Sequence, residues 1–90
     1  MKSMHCIVSG KVQGVNFRAW TFDQASSLNI TGWVRNLEDN KVEIIAQGDE
    51  AGLSELKKRL LQGSPFSRVE DVKCEQIDYD KQFSSFEIRG

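Results

Sequence analysis

The sequence predicts an α+β fold in which a mostly antiparallel sheet carries two helices on one face. Three observations point there. Two segments repeat apolar residues at helical spacing, β-favouring runs flank each of them, and glycine, proline or asparagine marks most junctions.

Residues 5–9, His-Cys-Ile-Val-Ser, form a β-favouring run ended by Gly10 and supply the first strand. Residues 18–29 read as the first helix. Phe22, Ala25 and Leu28 recur every third residue and are expected to face the sheet together, with Ala19 extending the stripe and Asp23, Gln24 and Ser26 outward. Gly32 then opens a strand over residues 33–37, and the next strand covers 42–47 with Val42, Ile44 and Ala46 on one face. Asp39-Asn40 between them suits the left-handed geometry of a tight reversal, which predicts an antiparallel hairpin. Residues 50–61 read as a second amphipathic helix through Leu53, Leu56 and Leu60. Gly63-Ser64-Pro65 stops it, because glycine tolerates the exit conformation and proline cannot continue the ladder.

Arg68–Ile77 and residues 83–89 follow as β-like segments around a polar turn that contains Asp78, Tyr79, Asp80 and Lys81. The order β-α-β-β-α-β, with an extra or interrupted C-terminal strand, is that of a ferredoxin-like split β-α-β sandwich. Its uncovered sheet face is expected to be solvated. With no internal repeat, low-complexity tract or long linker, residues 1–90 are expected to form a single domain.

Twelve Lys and Arg nearly balance thirteen Asp and Glu, for a formal charge of −1, so no polyanion partner is expected. The densest basic run, Lys57-Lys58-Arg59, follows Asp49, Glu50 and Glu55; acids early and bases late complement a helix dipole. An RNA-binding sheet would need exposed aromatics together with positive charge, and His5, Ile7 and Trp33 do not supply them. No apolar run approaches the roughly 20 residues that span a bilayer, and Met1-Lys2-Ser3 leads directly into a strand. A cytoplasmic protein without nucleic-acid or membrane partners is therefore expected. Cys6 and Cys74 lack metal or redox spacing and are read as reduced, partly buried thiols; a disulfide between the first strand and a late strand is the alternative.

Chemistry concentrates in residues 10–18, Gly-Lys-Val-Gln-Gly-Val-Asn-Phe-Arg, which make a strand exit, a glycine-bearing turn and a helix entry. Backbone N–H groups at such an entry have no intrahelical acceptor and can converge on an oxyanion such as phosphate or sulfate. Arg18 adds a planar cation able to pair with two oxygens. The spacing matches neither a P-loop nor a dinucleotide fingerprint. A purely structural turn with a surface arginine remains the alternative. Phe17 and Trp20 are read mainly as core-edge aromatics.

In residues 32–36, Gly-Trp-Val-Arg-Asn, strand alternation separates Trp33 and Arg35 from Val34 and Asn36. Asn36 could orient water or, equally, satisfy backbone groups at the strand end. Conventional catalytic groups are scarce. His5 stands alone, the acidic pairs Asp49-Glu50, Glu70-Asp71 and Asp78/Asp80 read as solvated ends and turns, and no serine or cysteine has a nucleophile context.

The two segments together resemble the acylphosphatase family. Residues 10–18 are similar to its loop and residues 32–36 to its second signature. Supporting similarity runs through residues 36–44, 64–69 and 85–89, so the resemblance covers the chain from about residue 5. It implies a ferredoxin-like hydrolase of small-molecule acyl phosphates, mixed anhydrides of a carboxylate and phosphate, with no metal or other cofactor. It further implies that Arg18 binds phosphate, that Asn36 positions the attacking water, and that Gln13, Gly14, Val15, Asn16 and Phe17 complete the cradle with Arg18. Asn16 stands where the family often has a small or hydrophobic residue, and Asn40 where its hairpin commonly has glycine. A small anion-binding or regulatory module without turnover is the alternative function. A monomer is expected.

Overall fold

β1 (Lys2–Lys11) turns Met4, Cys6 and Val8 toward a buried face and leaves His5 and Ile7 half-buried on the other. In the computed structural model, which describes residues 1–90, it is followed by α1 (Phe17–Ser27), β2 (Thr31–Leu37), β3 (Lys41–Gly48), α2 (Glu50–Gln62), β4 (Arg68–Ile77) and β5 (Phe86–Arg89). The strands make one sheet in the order β4-β1-β3-β2-β5. The first four pair antiparallel throughout, and β5 joins β2 in parallel. This is the ferredoxin-like α+β arrangement predicted from the element order, and β5 resolves the C-terminal ambiguity in favour of an extra strand.

Val8, Val34, Val42 and Ile44 of the sheet pack against Phe17, Ala25, Leu53, Leu56 and Leu60 of the helices. α2 buries the three leucines that its spacing indicates. Its N-terminus is capped by Asp49, whose side chain accepts from the Gly52 N–H at 2.7 Å, and Gly63 leaves it at φ 77°. At the β2–β3 reversal Asp39 and Asn40 take φ 61° and 58°, the left-handed pair that a tight hairpin requires.

The buried stripe of α1 differs from the expected one. Phe17, Thr21 and Ala25 face the core, whereas Phe22 and Ala19 are exposed and Leu28 is half-buried. Asn16, left-handed at φ 59°, starts the helix at Phe17; that ring anchors in the core and selects the i, i+4, i+8 face. Thr21 is the cost, since its hydroxyl is enclosed without a partner.

The face away from the helices is also less solvated than expected. Residues 78–85 must carry the chain from one sheet edge to the other, and they pass over Gln47, whose amide donates to the Lys81 carbonyl and accepts from the Phe83 N–H. Tyr79 stacks on Phe83 at 5.4 Å. Ser3, Trp33, Ile45 and Gln47 are buried on this face, and β5 begins only at Phe86, not at residue 83. The guanidinium groups of Arg35 and Arg89 lie 5.2 and 5.0 Å from the Trp33 ring centre. Glu43 receives Arg35 Nε at 2.6 Å and faces His5 Nε2 at 2.8 Å.

The reading of the cysteines as reduced thiols is corrected. Cys6 and Cys74 are register partners on β1 and β4, their Cα atoms 4.1 Å apart, and they form a disulfide. Linear separation hid this, because only the pairing of an early strand with a late one brings the two residues opposite each other.

Two predictions follow from this scaffold. Cys74→Ser should lower the unfolding free energy by about 2–4 kcal/mol, read as a urea midpoint that no longer responds to dithiothreitol as the parent's does. At Glu43 burial pushes the carboxyl up, but hydrogen bonds from His5 and Arg35 and the nearby positive charge outweigh it and hold it below the ordinary 4.5. The stabilisation is therefore present above pH 4.5 and lost as pH falls through the lowered value. Glu43→Gln should flatten that acid limb in urea titrations run from pH 6 down to about pH 3.

Candidate active site

β1 ends at Lys11 and α1 begins at Phe17, so residues 12–16 reverse the chain between them. Gly10, at φ 126°, starts the reversal in a bulge against β4, where a Cβ would press into the Arg68 carbonyl. Gly14 at φ 73° and Asn16 at φ 59° supply two further left-handed positions. The Val12 N–H bonds the Gly10 carbonyl and the Trp20 N–H bonds the Asn16 carbonyl, but no N–H from residues 13–19 donates to a protein acceptor. Alternating backbone handedness with unused donors makes an anion-binding concavity.

The concavity is fastened on two sides. The Gln13 side chain turns to the β2–β3 hairpin and donates to the carbonyls of Leu37 and Lys41 at 2.6 and 2.9 Å. Gln13 thus offers a ligand its backbone, while its amide holds the loop in place. Val15 is half-buried against the core, and the Phe17 ring is fully enclosed and packs on Trp20 at 5.3 Å. The Asn16 side chain makes no capping bond.

Arg18, half-buried in the first turn of α1, donates from Nη1 to the Arg89 carbonyl at 2.8 Å. It pairs with no carboxylate, which leaves Nε and Nη2 for an external oxyanion. Asn36 lies on the helix-side face of β2, two residues beyond the core residue Val34, as strand alternation predicts. Its side chain forms no hydrogen bond within the protein, and its Oδ1 is enclosed without a partner. The backbone-satisfying role left open by the sequence is therefore absent. Arg35 points to the opposite face and binds Glu43.

These groups line one cavity of about 180 Å³. Gln13, Gly14, Asn16, Phe17, Arg18 and Asn36 all border it; Val15 alone of the expected residues does not. The remaining walls are Val12, Ala19 and Ile88. Ile88, and the Arg89 carbonyl that holds Arg18, were not legible in the sequence, because β5 reaches the site only through its parallel pairing with β2. Arg18 is the sole titratable side chain in the lining.

The acylphosphatase family model matches residues 4–88. The chain belongs to the acylphosphatase family. It is 46% identical over 84 residues to an acylphosphatase of Pelotomaculum thermopropionicum, an alignment spanning 93% of this chain and 91% of that one. The crystal structure of the Bacillus subtilis acylphosphatase superposes with a TM-score of 0.95 at 36% identity and covers both chains fully. The structure of an acylphosphatase from Coxiella burnetii gives 0.93 at 39% identity, over 98% of this chain and 92% of its own. The family's enzymes hydrolyse acyl phosphates to a carboxylate and phosphate, and this chain is an enzyme of that class acting on a small-molecule acyl phosphate. No helix is long and apolar enough to cross a membrane.

Removing the fastening at Gln13 tests whether the cradle depends on it. Gln13→Ala should weaken inorganic phosphate binding several-fold, read by calorimetric titration, and cost about 1 kcal/mol of stability in urea.

Proposed function

We propose that the backbone of residues 13–18 and the Arg18 guanidinium hold the phosphoryl group of the acyl phosphate, and that Asn36 orients the attacking water. The observation that carries this reading is convergence: a run of unbonded N–H groups, a cation without a carboxylate partner and an amide without any partner line the same cavity.

An acyl phosphate is an activated anhydride, so positioning and charge stabilisation suffice for rapid hydrolysis. The water oxygen attacks phosphorus and the bond from phosphorus to the bridging oxygen breaks. The acyl group departs as carboxylate, a leaving group that needs no proton. Charge on the equatorial oxygens is met by Arg18 and by N–H groups already aimed at it, so little reorganisation is required at the moment of reaction. No carboxylate or imidazole borders the cavity, and the water's proton passes to a non-bridging oxygen of the transferring phosphoryl group. Phosphate or sulfate is the anion the cradle would retain without substrate.

The cavity is complete within one chain, which supports residues 1–90 acting as one domain and as a monomer. A cytoplasmic setting is part of the same reading. The Cys6–Cys74 disulfide bears on that setting, because a cytosolic thiol pool opposes such bonds: a pair in cellular protein that resists alkylation until reduced would count against the cytoplasm, and a pair alkylated before lysis would support it.

Arg18→Ala and Asn36→Ala separate the two roles. Each should lower kcat/KM by about 10²–10³-fold with the circular dichroism spectrum unchanged. Only the arginine variant should also lose phosphate binding. Unaltered turnover by Asn36→Ala would remove its water-positioning role and favour a binding module.

A further inference from the structure

We propose that Ile88, supported by Ala19 and Phe22, is the specificity-determining wall of this site and selects acyl phosphates whose acyl group is uncharged and apolar, aromatic or branched. The inference rests on the phosphoryl-binding reading above and adds the other half of the substrate to it.

Phosphoryl transfer sets the attacking and leaving oxygens roughly in line across phosphorus. Asn36 borders the cavity and is half-buried, so water held by its side chain directs the acyl group toward the exposed mouth. Gly14, Asn16, Ala19 and Ile88 are the lining residues that are also exposed, and they form that mouth. Its only large side chain is apolar: Ile88 is 47% exposed.

A single exposed isoleucine needs no explanation. This one is held beside the chemistry. The next residue, Arg89, takes the Arg18 guanidinium on its carbonyl, and Ile88 is the register partner of Val34, two residues before Asn36 on the same face. Phe86, two residues earlier on β5, meets Phe22 edge-on at 6.3 Å. Phe22 stands one helical turn after Arg18 and is 36% exposed. An acyl group leaving the mouth therefore meets the lining residues Ile88 and Ala19 first, and Phe22 follows Ala19 by three residues on α1. The lining holds no carboxylate and no cation besides Arg18, so a second charge on the acyl group would find no partner.

The test is the ratio of kcat/KM for benzoyl phosphate to that for acetyl phosphate in the full chain and in Ile88→Val, Ile88→Ala and Ile88→Asp. Removing methylene contacts from an apolar wall changes discrimination about tenfold or more. The ratio should fall at least that far in the alanine and aspartate variants, mainly through KM for benzoyl phosphate. The valine variant, which loses one methylene, should fall between the parent and the alanine variant, and the inhibition constant of inorganic phosphate should hold in all three. A ratio constant within about twofold across the series would overturn the proposal, including the case in which both substrates decline equally. Failure of the unmodified chain to hydrolyse either substrate would overturn the phosphoryl-binding reading beneath it, an outcome distinct from an unchanged ratio.

Discussion

Five residues, 12–16, separate the end of β1 from the start of α1, and within that span the chain must reverse direction and lay the helix back across the sheet. The reversal is possible only with left-handed conformations at Gly14 and Asn16 after the bulge at Gly10. The N–H groups of residues 13–19 are left without a protein acceptor, and all of these residues but Val15 border one concavity. Folding and anion binding are thus linked by one constraint: the geometry that lets α1 reach the core leaves a set of donors that a phosphoryl group can satisfy.

The elements around the reversal hold it from three directions. Phe17, wholly enclosed, fixes the helix start from below, and the carbonyls of Leu37 and Lys41 hold Gln13 from the side. The last strand closes the third side, where the Arg89 carbonyl anchors the Arg18 guanidinium while its remaining nitrogens stay available. Each attachment joins residues remote in sequence, so loosening of the hairpin, the helix or the C-terminal strand is transmitted to the same few atoms. A small site without a metal-style cage of side chains gains its precision from these backbone attachments.

Far from the cavity, the second sheet face serves a structural purpose. The crossing of residues 78–85 binds Gln47, two arginines cover Trp33, and Glu43 links β3 to β1 and β2 through His5 and Arg35. The Cys6–Cys74 disulfide fastens β4, an edge strand, to β1. These contacts fasten β1 between its neighbours, and β1 leads into the cradle at its end.

Local order in the chain determined the element sequence, the leucine face of α2, the left-handed hairpin turn at Asp39-Asn40 and the placement of Asn36 opposite Arg35. Each depends on periodicity or on one residue's torsional freedom, and both are written within a few positions. The loop of residues 10–18 was legible for the same reason: glycine spacing and a following arginine are local facts. Tertiary structure alone decided what required distant strands to meet. It turned α1 onto Phe17, Thr21 and Ala25, paired Cys6 with Cys74, sent Gln13 to the hairpin, and brought Ile88 and the Arg89 carbonyl beside Arg18. Such contacts depend on the register and order of strands far apart in the chain, which no short window of residues encodes.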